Sequence, residues 1–535
     1  MLFGSLIPTV SFIGSLLTAG PTALPNVSAS PLRVVELASG EQISAEVLGS
    51  DERTLSLRLR GGSVVQVPRE FVSTISQQPG WRDVFFEDFE NASKLRTVDD
   101  QPLPLKSIDS GSSSTAWVAN DQTTRWDFRS TKALTAGRFC WTTRPVSTGS
   151  NSGEVSLSFQ DGNVVRRLNL RFDQAGQSTV TTENLRVATY SVSRSVKPTR
   201  WTVIFGEHGV RLLANDVVVA NGKTSGGSLA AIEMELDANA SVGFDDLLLQ
   251  SRWPTDTDQS DSPVSDNAQA SITQFDGSRL YGEILHVGKR SIRWKFGEQH
   301  VVTPWTDVRA VGWNGRSVEQ EHKSYAEAKV TGKWGRVRFR PWQLAPATAP
   351  VDELEVAIRA NKKGVYSVAH PILGQFSCPT QQVATVEPLF DGTRQVLLNH
   401  RIPFVGPRTR WAEKFRIARV EPAAKQFVRL TTSGLEPSGP NTFLGSRYLR
   451  ELRNGSMTTQ LWVNDQRVAV LNEFLSRHHS ETEIRVPIPH GMVQSGENSW
   501  EIRQIPRSPN GADFDRCVIG PVYWESEPAE VAPSQ

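Results

Sequence analysis

Along most of this chain, hydrophobic and polar residues alternate with a period of two, as at Val155, Leu157 and Phe159, at Leu168, Leu170 and Phe172, and at Trp201, Val203 and Phe205. Successive side chains of a strand point to opposite sides of a sheet, so such runs predict half-buried strands, here bounded by Gly, Asn and Asp turns. No 3.6-residue periodicity persists beyond three turns, and the chain is predicted to be mainly β.

Part of the pattern is copied. Gly40, Ile43, Glu46, Val47, Leu48, Leu55, Leu57, Pro68, Val72 and Ile75 are matched by Gly277, Leu280, Glu283, Ile284, Leu285, Ile292, Trp294, Pro304, Val308 and Val311. The spacing agrees up to Trp294 and then slips by one residue. A weaker third copy keeps Val365, Val368, Pro379, Val383 and Val386 without the leading glycine. A repeat of roughly 35 to 45 residues marks a modular array, in which Gly40 and Gly277 supply turns that tolerate positive φ. The order of glycine turn, strands, Val-Pro or Thr-Pro and a short valine segment resembles the small SH3-like or Sm-like β-barrels, which implies RNA or peptide binding.

Between the first two copies, Phe86-Glu87-Asp88-Phe89, Trp201-x-Val203-x-Phe205, Gly209-Val210-x-Leu212 and Val242-Gly243-Phe244-Asp245-Asp246 open, cross and close a strand-rich region. These positions look like the concanavalin A-like or laminin-G-like jelly roll, a two-sheet sandwich. After the third copy, Leu461-Trp462-Val463-Asn464-Asp465, Val486-Pro487-Ile488-Pro489 and Gly496-Glu497-Asn498 are similar to the galactose-binding-like jelly roll, an accessory domain of many exported glycan-active proteins. The expected division is 1–29 as signal peptide or N-terminal anchor, 31–80 first repeat, 82–251 concanavalin-like sandwich and 252–269 acidic linker. It continues with 270–315 second repeat, 316–387 connecting strands and degenerate third repeat, 388–526 galactose-binding-like sandwich and 527–535 disordered tail. The fold class is thus multi-domain, with β-sandwiches interleaved with small barrel repeats.

At 535 residues several domains are expected. The net charge of +1 argues against nucleic acid, which calls for a basic excess. Residues 2 to 19 are uncharged and precede Val27-Ser28-Ala29, a small-residue pattern expected before signal cleavage, although no Lys or Arg precedes the apolar run. This predicts an extracytoplasmic location, periplasmic, cell-surface or secreted, with a retained anchor as the alternative. No other segment is long enough to span a bilayer. Cys140, Cys378 and Cys517 are too few and too scattered for a disulfide framework and read as small buried hydrophobes.

Three groups of residues could carry chemistry. On an extended strand Glu233, Glu235 and Asp237 share one face, and paired carboxylates can serve glycoside hydrolysis. The concanavalin-like glycosidases carry a different order of acidic residues, and a solvated polar row accounts for these three. Arg336, Arg338 and Arg340 form either a solvated strand face or an anion-binding strip between Trp334 and Trp342. Fifteen Trp against six Tyr invites sugar stacking. Trp201, Trp294, Trp462 and Trp500 fall on apolar phases and are assigned to packing, whereas Trp117, Trp126 and Trp411 have polar surroundings and are the surface candidates. Asp245 and Asp246 cap a turn or hold a structural calcium, the one cofactor left open. No HExxH, GxSxG, Walker or dinucleotide motif is present. The expected function is an exported, non-catalytic binding protein contacting polysaccharide or envelope protein. The alternatives are a glycoside hydrolase or lyase using the acidic row and a purely structural envelope scaffold.

Overall fold

A computed structural model of the chain describes residues 31–59, 61–89, 95–107, 115–119, 121–146, 151–173, 178–183, 191–192, 198–207, 209–222, 227–253, 270–313, 329–340, 352–362, 364–404, 410–444, 448–478, 481–507 and 514–528. The N-terminal segment, residues 254–269 of the expected linker, Trp342 and residues 529–535 of the expected tail lie outside these residues, while Arg252 and Glu527, expected in linker and tail, close strands.

The first repeat comprises β1 (Leu32–Leu37), β2 (Gln42–Ser50), β3 (Thr54–Leu59), β4 (Val64–Pro68) and β5 (Val72–Gln77), paired in the order β5-β1-β2-β3-β4. Next in the chain come the fourteen strands of the first sandwich. These are β6 (Trp81–Glu87), β7 (Leu105–Ser107), β8 (Thr115–Trp117), β9 (Thr124–Leu134), β10 (Gly137–Pro145), β11 (Gly153–Asp161), β12 (Val164–Phe172), β13 (Ser178–Glu183), β14 (Ser191–Val192), β15 (Thr199–Gly206), β16 (Gly209–Ala214), β17 (Val217–Gly222), β18 (Ser228–Leu236) and β19 (Val242–Arg252). The second repeat, β20 (Ala270–Gln274), β21 (Arg279–Val287), β22 (Ser291–Phe296), β23 (Gln299–Pro304) and β24 (Val308–Gly312), has the same order as the first. So does the third: β25 (Val330–Phe339), β26 (Glu353–Lys362), β27 (Val365–His370), β28 (Gly374–Pro379) and β29 (Val383–Leu398).

The copies agree residue by residue. Val35 lies between Ile43 and Ile75, Ile272 between Leu280 and Val311, and Val337 between Leu354 and Val386. A bulge interrupts the second and third strands of each copy at equivalent places, between Val47 and Gly49, Ile284 and His286, and Ile358 and Ala360. Bulges sharpen the local twist, so their recurrence gives all three sheets the same curl. Gly40 and Gly277 take φ of +87° and +85°, as the turn requires. The one-residue slip after Trp294 lies in a hairpin: Arg58 pairs with Val64, whereas the equivalent Lys295 pairs with His300, one residue closer. In the third copy the missing glycine corresponds to a longer connection between β25 and β26, part of it outside the described residues.

Edges join the repeats. Ile75 of β5 pairs with Val311 of β24, and Gln42 of β2 with Glu353 of β26, so the first repeat lies between the other two. All three feed one apolar cluster that includes Val35, Ile75, Ile272, Trp294, Val337 and Phe376. Each such side chain contributes about 1.5–3 kcal/mol on burial.

In the first sandwich, β17-β16-β15-β10-β19-β8-β7, with β6 also on β19, faces β14-β13-β12-β11-β18-β9 across a core rich in Trp and Phe. The last sandwich contains β30 (Ile402–Phe404), β31 (Arg410–Ile417), β32 (Lys425–Ser433), the short helix α1 (Leu449–Arg453), β33 (Thr458–Val463), β34 (Gln466–Val470), β35 (Thr482–Ile488), β36 (Gly496–Ile505) and β37 (Cys517–Glu527). One sheet runs β30-β37-β32-β35 and the other β31-β36-β33-β34, with Leu461, Trp500, Ile502 and Trp524 among the side chains packed between them. Strand β29 is shared: its first half closes the third repeat on β25 and its second half pairs with β37. The chain therefore passes from repeat to sandwich without a linker.

Buried polar junctions fix both sandwiches to the repeats. On one side Arg33 bonds Asp83, which also accepts from Gln250 at 2.6 Å, while Arg290 grips Glu87 and Asp88. On the other, Arg394 and Arg429 converge on Glu355 and Glu525.

Candidate functional site

The acidic row lies on the outer face of the six-stranded sheet. Strand β18 buries Ile232, Met234 and Leu236 and turns Glu233 and Glu235 outward. Asp237 follows the end of the strand and accepts a hydrogen bond from Ser152, so the expected three-residue row is corrected to two. Register sets Arg171, Glu154, Glu235 and Arg125 side by side across four strands, and Asn169, Ser156, Glu233 and Asp127 in the next row. Arg125 binds Glu233 at 2.9 Å. Among the described residues this face thus carries four arginines (125, 129, 167, 171), five carboxylates (Asp127, Glu154, Glu183, Glu233, Glu235) and no aromatic side chain.

The arginine strip on β25 is also answered internally. Arg336 bonds Glu353, Glu355 and Glu387, Arg338 bonds Glu353 at 2.9 Å, and Arg340 donates to the Val383 carbonyl at 3.2 Å. Trp334 between these strands is buried against Phe390 and Arg394. Carboxylates on the flanking strands therefore occupy the donors that an anion would use.

The tryptophans change places. Trp117 is 0% and Trp126 4% exposed, which corrects their expected surface position: both belong to the apolar core of the first sandwich. Trp117 satisfies its ring N–H on Thr124 at 3.0 Å, so its polar neighbours in sequence serve the indole nitrogen. Trp411 is half-buried on the inner phase of β31, edge-on to His400. Beside it burial pushes the Glu413 carboxyl up to about 7, against the pull of a hydrogen bond from Trp411.

Trp462, assigned to packing by sequence, is the one that emerges. Its neighbours Leu461 and Val463 point into the core, and register sets Trp462 beside Glu501 and Arg467 on the outer face of the four-stranded sheet. Its ring is half-buried. It is held by a 3.0 Å bond from Nε1 to Gln460 and by the Arg503 guanidinium 4.0 Å from the ring centroid. Glu501 accepts from both Arg503 and Arg410. Polar residues on the phase alternating with Leu461 were the available signal, namely Gln460 before the indole and Asn464 after it.

A second polar cluster lies where the first and third repeats meet the last sandwich. His370 accepts the backbone N–H groups of Ile372 and Leu373 on Nδ1 and donates through Nε2 to Glu41 at 3.0 Å. Burial raises the Glu355 carboxyl, but Arg429 and Arg394 outweigh it and bring it to about 2. The cleft beside them, lined by Ser39, Glu41, His370, Arg394, Asn399 and Tyr523, has about 10 Å³ of free volume, room for a water and not a sugar ring. Sequence reasoning missed this cluster. Its signal is charge inside apolar runs, Arg429 in Phe427–Leu430 and Glu525 after Trp524.

Asp245 is buried and bonded to Arg144 at 2.6 Å. Desolvation, with Asp246 adjoining, raises its carboxyl to about 8, while Asp246 takes a φ of +51°. Among the described residues no group of three or more His, Cys, Asp or Glu side chains could hold a metal ion. The three cysteines are free and buried, and no helix among the described residues is long and apolar enough to cross a membrane.

No family model matches the chain, and no curated protein matches it. Among solved structures it is similar to a protein of unknown function with a galectin-like fold from Bacillus subtilis, at 10% identity and a TM-score of 0.21 over 33% of this chain and 100% of that one. It is also similar to the carbohydrate-binding module CBM66 from Bacillus subtilis (10% identity, TM-score 0.20, 32% and 96% covered). The laminarinase from Rhodothermus marinus is a third such structure (10% identity, TM-score 0.24, 33% and 99% covered). Each likeness spans about a third of this chain, and none bears on which residues act.

Proposed function

We propose that the chain is an exported, non-catalytic binding protein whose last sandwich contacts glycans through the outer face of the β31-β36-β33-β34 sheet. The observation that carries this reading is Trp462, a half-buried indole fixed on a polar sheet face by Gln460 and Arg503. With one face of the ring against the Arg503 guanidinium, the other π-face is the one for the apolar side of a sugar ring, and a platform already held in place loses little freedom on binding. Arg410 and Arg503, both held on Glu501, supply donors for hydroxyl groups. Among the described residues the acidic row has no comparable aromatic floor, and export rests on the apolar N-terminal segment.

The test is a glycan array probed with the mature chain and with Trp462→Ala. A central aromatic anchor contributes about 2 kcal/mol or more, so the variant should bind about 30-fold more weakly. Unchanged binding by the variant would move the contact elsewhere.

A structural envelope scaffold is favoured by a separate observation, the buried ion pairs that lock both sandwiches to the repeats. That reading predicts association with envelope fractions and no retention on any polysaccharide.

A further inference from the structure

We infer that the ligand of the Trp462 face is an anionic glycan, one bearing carboxylate or sulfate groups; this rests on the glycan-platform reading above.

The charge around the indole is unbalanced in a specific way. Arg410 and Arg503 each donate through Nε and Nη2 to the same carboxylate, Glu501, so two cations share one counter-charge. Arg503 also reaches Asp465 at 3.5 Å, an aspartate in the exposed turn beyond β33. Arg467, the cross-strand partner of Trp462, is exposed, and Arg416 is exposed on β31. Lys414 is matched by Glu497 at 2.8 Å. Among the described residues the face therefore sets five cations (Arg410, Lys414, Arg416, Arg467, Arg503) against three carboxylates (Asp465, Glu497, Glu501), whereas the outer face of the first sandwich sets four against five.

Position matters as much as number. Strands lie ~4.8 Å apart, so Arg467 stands one spacing from Trp462 on one side, and Arg503 and Arg410 stand one and two spacings away on the other. A guanidinium bound to a shared carboxylate through Nε and one Nη2 hydrogen keeps its Nη1 donors and its outer Nη2 hydrogen, and the end-on fork of Nη1–H with Nη2–H fits the paired oxygens of a carboxylate or sulfate. An indole flanked on both sides by such forks suits a ring that stacks in the middle and carries anionic substituents at its edges. A neutral sugar would use the indole and leave the cationic excess unanswered.

The experiment measures affinity for soluble polygalacturonate, dextran sulfate, neutral dextran and inorganic polyphosphate at 0.15 M salt. The proteins are the wild type, Trp462→Ala, Arg467→Ala and Arg467→Lys, each checked by circular dichroism. The inference predicts at least about tenfold tighter binding to one of the two anionic glycans than to dextran. Arg467→Ala should abolish most of that preference, Arg467→Lys should restore it in part, and Trp462→Ala should weaken binding to every glycan. Equal affinity for dextran, insensitive to Arg467→Ala but lost in Trp462→Ala, would overturn the anionic inference and leave the glycan reading intact. No retention on any glycan would overturn both. Polyphosphate bound as tightly as the anionic glycans, with Trp462→Ala unaffected, would reduce the face to general charge attraction and also overturn the inference.

Discussion

The two sandwiches turn outer faces of opposite character to solvent. The six-stranded face of the first is a lattice of charged residues in which carboxylates also stand beside carboxylates, Glu154 by Glu235 and Glu233 by Asp127, without an aromatic among the described residues. The four-stranded face of the last is built on the same period-two alternation, but it places an indole at one outward position and lets two arginines share one glutamate beside it. Among the described residues the first face sets four guanidiniums against five carboxylates and has no flat apolar surface, while the second sets an indole among an excess of cations. The candidate surface is thus distinguished by unequal charge pairing around an aromatic ring, a property that the number of acidic residues does not report.

The largest effect that would sharpen this contrast concerns the tryptophans. Trp117→Ala empties a fully buried site of the first sandwich and should cost about 3–5 kcal/mol in urea denaturation. Trp462→Ala loses a half-exposed ring and its contact with Arg503, about 1 kcal/mol or less, while removing glycan retention. Similar stability losses for the two variants would mean that Trp462 is a core residue and would erase the distinction.

Cutting the second junction should come next. Arg394 is 3% exposed and bonded to both Glu355 and Glu525, and Glu525 is fully buried. Arg394→Ala leaves two carboxylates short of a partner, a loss of about 3 kcal/mol or more for a broken buried pair. Arg125→Ala on the lattice should change stability by about 0.5 kcal/mol. Parity between these two variants would show that the junction is no more consequential than surface charge.

Acid probes the junction directly. The Glu355 carboxyl titrates near 2 in the folded chain against an ordinary 4.5, because Arg429 and Arg394 outweigh the burial that would raise it. A depressed folded pKa favours the folded state above the unfolded value, so this contribution is complete above about 4.5 and is lost as pH falls from there towards 2. Denaturation midpoints measured across that window should fall more steeply for the wild type than for Glu355→Gln. Parallel slopes would remove Glu355 from the acid limb.

Much of the fold was legible because alternation is a direct consequence of strand geometry. Leu55, Leu57 and Leu59 point inward as their period requires, and Gly40 and Gly277 take the positive φ that their turns need. The third repeat was faint because the β25–β26 connection is longer, which displaced its first strand from the register of the other copies. The site was less legible. Polar neighbours suggested exposure for Trp117, yet Thr124 accepts its ring N–H inside the fold. Trp462 looked apolar by composition, but its phase against Leu461 and Val463 turned it outward. Sequence gives the phase within a strand and says nothing of which neighbouring strand will cover a residue. The Arg394, Arg429, Glu355 and Glu525 cluster draws on strands far apart in the chain, and no local spacing announces it.

The smallest effect is the one that could reverse the comparison. Glu233→Gln with Glu235→Gln removes two carboxylates from an exposed lattice, where an ion pair such as Arg125 with Glu233 is worth about 0–1 kcal/mol. The double variant should melt within a few degrees of the wild type and bind the glycan array unchanged. Polysaccharide cleavage by the wild type that disappears in this variant would make the first sandwich the active one, with Glu233 and Glu235 as its acid and nucleophile, and would demote the Trp462 face to an accessory surface.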